Sequence, residues 1–149
     1  MKFVVFLMVC MMTLDSNIEA SEEKPLGLDD LRWQHRVVLV FAPGSEAAQA
    51  QARLEQLSLQ VEERDIAWFV LGDSSLTTNY PGKLDNGLRA QITNRYFTPE
   101  PAELAVVLIG KDGGLKARSS ELNLEATFEL IDQMPMRQAE MQRDRDSQD

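Results

Sequence analysis

Cysteine is nearly absent from this sequence: among 149 residues only Cys10 carries a thiol. Histidine is as scarce, with His35 alone. One cysteine and one histidine cannot supply the three or four nitrogen and sulfur ligands of a zinc or copper site. The acidic pairs Asp29-Asp30, Glu62-Glu63 and Asp144 with Asp146 lack the alternating spacing of a calcium loop. No resident metal or other cofactor is expected. Basic residues are outnumbered, with fifteen Lys and Arg against twenty-four Asp and Glu, a net charge of −9. That balance disfavours nucleic acid and anionic lipid as partners, because both reward Lys and Arg. Long hydrophobic runs are missing as well. The longest uncharged one, Phe3 to Leu14, has twelve residues, against the roughly 18–20 that a membrane-spanning helix needs.

What that short run does resemble is an export signal. Lys2 provides a positive start, FVVFLMVCMMTL an apolar middle, and Asp15 to Ala20 a polar end closing on a small residue. Cleavage after Ala20 is expected, although Ile18 is a less usual residue at its position. An uncleaved anchor is the alternative. A lipid-anchored form through Cys10 is weaker, since Met8 and Val9 precede it. Removing residues 1–20 takes Lys2, Asp15 and Glu19 and leaves fourteen basic and twenty-two acidic residues. It also takes Cys10. The expected mature protein is periplasmic or extracellular, free of thiols and of stable membrane insertion, and unable to form a disulfide.

Three short apolar runs, RVVLVF (Arg36 to Phe41), IAWFVL (Ile66 to Leu71) and LAVVLI (Leu104 to Ile109), read as strands covered on both faces. Val38, Leu39, Val40, Phe69, Val106, Val107 and Leu108 are expected in the core. Ahead of the first strand, Leu28 to Trp33 reads as a helical turn that brings Trp33 to the core or leaves it part-exposed. Pro43 and Gly44 end that strand, and Ser45 is expected to cap a helix carrying Leu54, Leu57 and Val61 on one stripe. Gly72 to Gly82 is rich in turn-formers and reads as a loop. Leu84 to Phe97 reads as a helix stopped by Pro99 and Pro101, with no cis bond expected beyond the ordinary rate for proline. Gly110-Lys111-Asp112-Gly113-Gly114 signals a hairpin into a polar edge strand, Leu115 to Ser119. Asn123 is expected to cap a last helix with Leu124, Phe128 and Ile131 on one face, interrupted or restarted at Pro135. Residues 142–149 are charged and read as a disordered tail, leaving one domain over residues 25–141.

The order β-α-β-α-β-β-α predicts an α/β fold. Its first unit is parallel and right-handed and its last pair antiparallel. That is a thioredoxin-like arrangement: a mixed four-stranded sheet of order 2-1-3-4 with helices on both faces.

The segments LRWQHRVVLVFAP, LAVVLIGKDGGLKARS and LIDQMPMRQAEM resemble the domain of unknown function 4174. The resemblance spans roughly Pro25 to Met141, and the GKDGG turn and the MPMR stretch are its most specific parts. That family is thioredoxin-like, is found mostly in exported bacterial proteins, and is similar to repeated domains of animal extracellular-matrix and sushi-repeat proteins. The resemblance therefore implies a fold and a compartment and brings no reaction with it.

Candidate sites follow from these placements. In thioredoxins and peroxiredoxins a reactive thiol sits after the first strand, at a helix start that lowers its pKa. Here the stretch is Ala42-Pro43-Gly44-Ser45. Ser45 would need a base to act as a nucleophile, and His35 stands at the other end of the strand. The arginines are more informative. Arg32, Arg36, Lys116, Arg118 and Arg137 fall in the segments that carry the resemblance. In an acidic domain they are expected to pair with carboxylates such as Asp73 or Asp132, or else to bind an anionic ligand or partner. Arg118 and Arg137 are expected to face a common region with Asp132. Trp33 is a candidate contact residue, while Trp68 belongs to a buried strand. Met134, Met136 and Met141 either finish the core or form an adaptable surface. The expectation for function is a non-enzymatic module that binds a protein or an envelope component. The alternative is a peroxiredoxin-related enzyme or stress-response factor with a non-cysteine site.

Overall fold

A computed structural model describes residues 24–148. The expected leader, Cys10 and the cleavage position lie outside them. A 3-10 turn (Leu28–Leu31) precedes β1 (Arg36–Phe41), α1 (Glu46–Gln56), α2 (Ser58–Glu63), β2 (Ile66–Leu71), β3 (Leu76–Thr78), α3 (Leu88–Tyr96), β4 (Ala105–Ile109), β5 (Leu115–Ser119), α4 (Leu124–Asp132) and α5 (Pro135–Asp146).

Every residue of β1 and β2 is buried. Strand side chains alternate between faces, so such strands need cover on both sides. Helices provide it. Val38, Val40, Trp68, Val70, Val106 and Leu108 meet Ala50 and Leu54 of α1, Val61 of α2, and Leu124, Phe128 and Ile131 of α4. On the other face, Val37, Leu39, Phe41, Phe69, Val107 and Ile109 meet Leu88 and Ile92 of α3 together with Leu26, Leu31 and Phe97. All seven expected core residues are buried.

The sheet order is β3-β2-β1-β4-β5. β1 and β2 are parallel and every other neighbouring pair is antiparallel. Inside it lies the expected 2-1-3-4 core, and the fold is thioredoxin-like. The hairpin forms as expected, with Gly113 at φ 79° and the Gly110 N–H donating to the Gly114 carbonyl at 2.9 Å.

The fifth strand is a correction. β3 is a three-residue strand in the stretch read as loop, too short for alternation to show. It is extended by a side chain: the Asn79 amide accepts from the Trp68 N–H at 2.8 Å and donates to the Ile66 carbonyl at 2.9 Å, continuing the ladder along β2. The helix expected from Leu84 begins at Leu88, because Leu84 instead bridges Leu26. The helix expected across Leu54 to Val61 breaks at Leu57 (φ −107°, ψ 28°). The 3-10 turn delivers Leu31 to the core, whereas Trp33 stands 67% exposed. Asn123 caps α4 through the Ala126 N–H at 3.0 Å. Pro135 restarts the chain as α5, which runs through Asp146 into the stretch expected to be disordered. Gln142 donates to Asp146 one turn on, and Arg143 and Arg145 complement the helix C-terminus.

Candidate functional site

The two ends of the sheet differ in chemistry. At the end where β1 and β2 finish lies the Pro43–Ser45 loop. Gly44 takes φ 59°, and its N–H donates to the Asp73 carboxylate at 3.2 Å. Asp73 therefore holds a backbone amide and pairs with no arginine. Ser45 has a helical backbone and its hydroxyl caps nothing, contrary to expectation. One Arg89 nitrogen reaches the carbonyls of Gly72 and Asp73 at 2.6 and 2.9 Å, tying α3 to the end of β2. Nearby, the Thr98–Pro99 peptide bond is cis, a form expected at no more than the ordinary rate for proline, and Phe97 packs on Phe41 with ring centroids 5.6 Å apart and planes tilted by 46°. His35 precedes β1, so about 20 Å of strand separates it from this loop. Ser45 has no base from that quarter.

At the opposite end the chain gathers charge. Arg36, the first residue of β1, shares the face of Val38 and Val40 and is 1% exposed. It donates to the Arg64 carbonyl at 2.9 Å and to both Glu140 oxygens at 3.1 and 3.3 Å. Lys111, in the hairpin, reaches Glu140 and Asp65, both at 2.7 Å. Arg64 forks onto Asp132 at 3.0 and 2.7 Å and lies over the Phe128 ring, 4.8 Å from its centroid. Arg137, 2% exposed, bonds Asp132 at 3.3 Å, the Glu63 carbonyl at 2.9 Å and the Glu63 carboxylate at 3.0 Å. Arg36, Arg64, Lys111 and Arg137 thus balance Glu63, Asp65, Asp132 and Glu140. Burial pushes the Asp132 carboxyl up, but the bonds and charges of Arg64 and Arg137 outweigh it and hold the pKa below the usual value. Burial also raises Glu140, and Lys111 and Arg36 together bring it below its usual value.

Residues 27–140 match the family model described as Domain of unknown function (DUF4174). The chain belongs to that family. No curated protein matches it. Among solved structures, the DUF4174 chain is similar to the mitochondrial 2-cys peroxiredoxin from Plasmodium falciparum, at 16% identity and TM-score 0.49, covering 70% of this chain and 78% of that one. It is also similar to thioredoxin peroxidase I of Plasmodium yoelii, at 19% identity and TM-score 0.47, covering 70% and 75%.

Within the DUF4174 domain the expected site residues divide. Arg36, Arg137 and Asp132 join the ionic network. Arg118 does not. It stands opposite Val107 in the β4–β5 register, on the α3 face, and donates to the Tyr96 carbonyl at 2.7 Å. Arg118 and Arg137 therefore serve opposite faces of the sheet, and the common region expected for them with Asp132 does not form. Trp33 takes φ 67°, and its N–H donates to the Lys111 carbonyl at 2.6 Å. Glu63, Arg64, Asp65, Lys111 and Glu140 were not expected as members of a site. The available signal was the spacing of Arg137 and Glu140, three apart and so neighbours on a helix surface. Among the described residues no group of three or more His, Cys, Asp or Glu side chains is placed to hold a metal ion.

Proposed function

We propose that this DUF4174 domain is a non-catalytic binding module that acts outside the cytoplasm and holds a protein or envelope component by surface complementarity. The observation that carries the reading is the loop after β1. In thioredoxin-like enzymes this is where the thiol works; here it is Ala42-Pro43-Gly44-Ser45, with its central amide occupied by Asp73. Its Ser45 has no histidine to act as base, since His35 stands at the far end of β1. The export half of the reading rests on the Lys2 start and the apolar Phe3 to Leu14 run. Its removal with Cys10 would leave no thiol.

The test has two parts. Intact mass of the protein recovered from a non-cytoplasmic fraction is expected to give an N-terminus near Ser21; Met1 retained there would count against cleavage. The same material is expected to neither consume peroxide nor reduce insulin disulfides beyond a protein blank. Turnover in either assay would replace this reading with the enzyme alternative.

A further inference from the structure

The geometry points to a binding pocket for an apolar-bodied carboxylate between the β4–β5 hairpin and the α4–α5 junction. This inference rests on the reading of the domain as a binding module and names one of its ligands by chemistry. The pocket measures about 350 Å³ and opens to solvent, within the roughly 300–1,000 Å³ of small-molecule sites. Met134, Pro135 and Met136 form its apolar part, Lys111 and Lys116 bring ammonium groups to it, and Arg36 lines it with a guanidinium already forked onto Glu140. Met136 is left 40% exposed. Thioether side chains adapt readily to the shape of a hydrocarbon guest.

Two features select the charge of the guest. The Lys111 ammonium has a side chain 10% exposed and spends two donors on Asp65 and Glu140. An ammonium has three, so one N–H remains. Lys116 pairs only with Asp112, a half-exposed neighbour four residues away. Such a surface pair contributes little, and a ligand carboxylate can take its place. Arg36 and Lys111 are already balanced by Glu140 and Asp65, so Lys116 and the spare Lys111 N–H are the groups left for an anion, while Asp112 is the one carboxylate lining the pocket, a poor seat for a cation. Apolar residues fill the remainder, which argues against a bare phosphate or sulfate. The net charge of −9 opposes an anion only at long range, and salt screens it beyond about 8 Å.

A free amphiphilic acid and the C-terminus of a chain ending in an apolar residue share this chemistry. Calorimetric titration of the purified protein with decanoate below its micelle concentration, with decanol, and with N-acetyl-leucyl-leucine separates them. Saturable binding of at least one acid is expected, with decanol at least ~10-fold weaker than decanoate where decanoate is the ligand. The tighter of the two acids identifies the source. Met136→Glu, which places a carboxylate beside the ammoniums, is expected to weaken acid binding by ~10-fold or more. Lys116→Gln, at an exposed position, is expected to weaken it several-fold and leave decanol unchanged; it keeps the test open if Met136→Glu fails to fold. Leu59→Glu, at an exposed position on α2, is expected to change nothing and controls for general adsorption. Absence of saturable binding by both acids, equal binding of decanol and decanoate, or acid binding indifferent to both pocket variants overturns the proposal. If that happens while the peroxide and insulin assays stay blank, the pocket alone fails. Turnover in those assays overturns the module reading, and the titrations still decide the pocket.

Discussion

The guanidinium of Arg36 and the carboxylate of Glu140, 104 residues apart in the chain, meet as a forked pair at 3.1 and 3.3 Å. One begins the central strand and the other lies in the C-terminal helix, so the pair fastens α5 to the sheet. Glu140 also accepts from Lys111. Glu140→Ala would leave the buried Arg36 and the part-buried Lys111 short of a carboxylate. A loss of about 3–5 kcal/mol is expected, as for other buried pairs with one partner removed. Urea titration reads it as a lower midpoint at unchanged slope. A midpoint equal to the parent's would mean that α5 does not depend on this pair.

Arg137 and Arg118 provide a contrast within one residue type. Arg137 is buried and serves Asp132 and Glu63, so Arg137→Ala orphans several acceptors. It is expected to cost about 1–3 kcal/mol or more. Arg118 is exposed and makes one bond, to the Tyr96 carbonyl. Arg118→Ala is expected to stay within about 0.5 kcal/mol of the parent. Paired thermal melts decide it, and equal losses from the two variants would contradict the difference in burial.

Acid should dissolve the same network. Asp132 and Glu140 both sit below their usual values of 3.8 and 4.5 when folded, despite the upward push of burial. The unfolded chain therefore binds these protons more readily. Their contribution is complete above the unfolded values and is lost as pH falls through the folded ones. The melting temperature is expected to be level from pH 7 to about 5 with respect to these groups, and to drop below about pH 4.5. Asp132→Asn or Glu140→Gln should shallow that drop while lowering stability at pH 7. An acid limb as steep in both variants as in the parent would assign the loss to other carboxylates.

The central sheet was legible in the sequence because its physics is local. A run such as RVVLVF has no polar face, so it can only be a strand covered twice. The GKDGG turn announces itself through residues that tolerate positive φ. β3 was not legible, because three residues carry no alternation and its ladder is finished by the Asn79 side chain. The arginines were legible as a set and not as pairs. Which carboxylate each one meets depends on the face of the sheet it occupies. Arg118 was misplaced because its register partner Val107 turns it toward α3. Glu140 escaped notice because a glutamate on a polar helix looks like solvent-facing charge until α5 is laid across the start of β1.

Trp33 offers a test of what the fold itself requires. Its φ of 67° is unusual for a bulky side chain, and the left-handed region costs such a residue roughly 1–2 kcal/mol. Its ring, largely exposed, recovers little of that by burial. What the fold uses is the backbone, through the N–H donated to the Lys111 carbonyl. Asparagine keeps that N–H and suits the left-handed region. Trp33→Asn is therefore expected to leave stability unchanged or raise it by up to about 1 kcal/mol. Gly113→Ala, in the same hairpin, is expected to do the reverse. It forces a Cβ onto φ 79° and against the Arg32 guanidinium, and should cost more than about 1 kcal/mol. Thermal melts of the two variants against the parent measure both effects. A loss of about 2 kcal/mol or more in Trp33→Asn would mean that the indole packs usefully after all. The expected outcome frees the tryptophan from any duty to the fold.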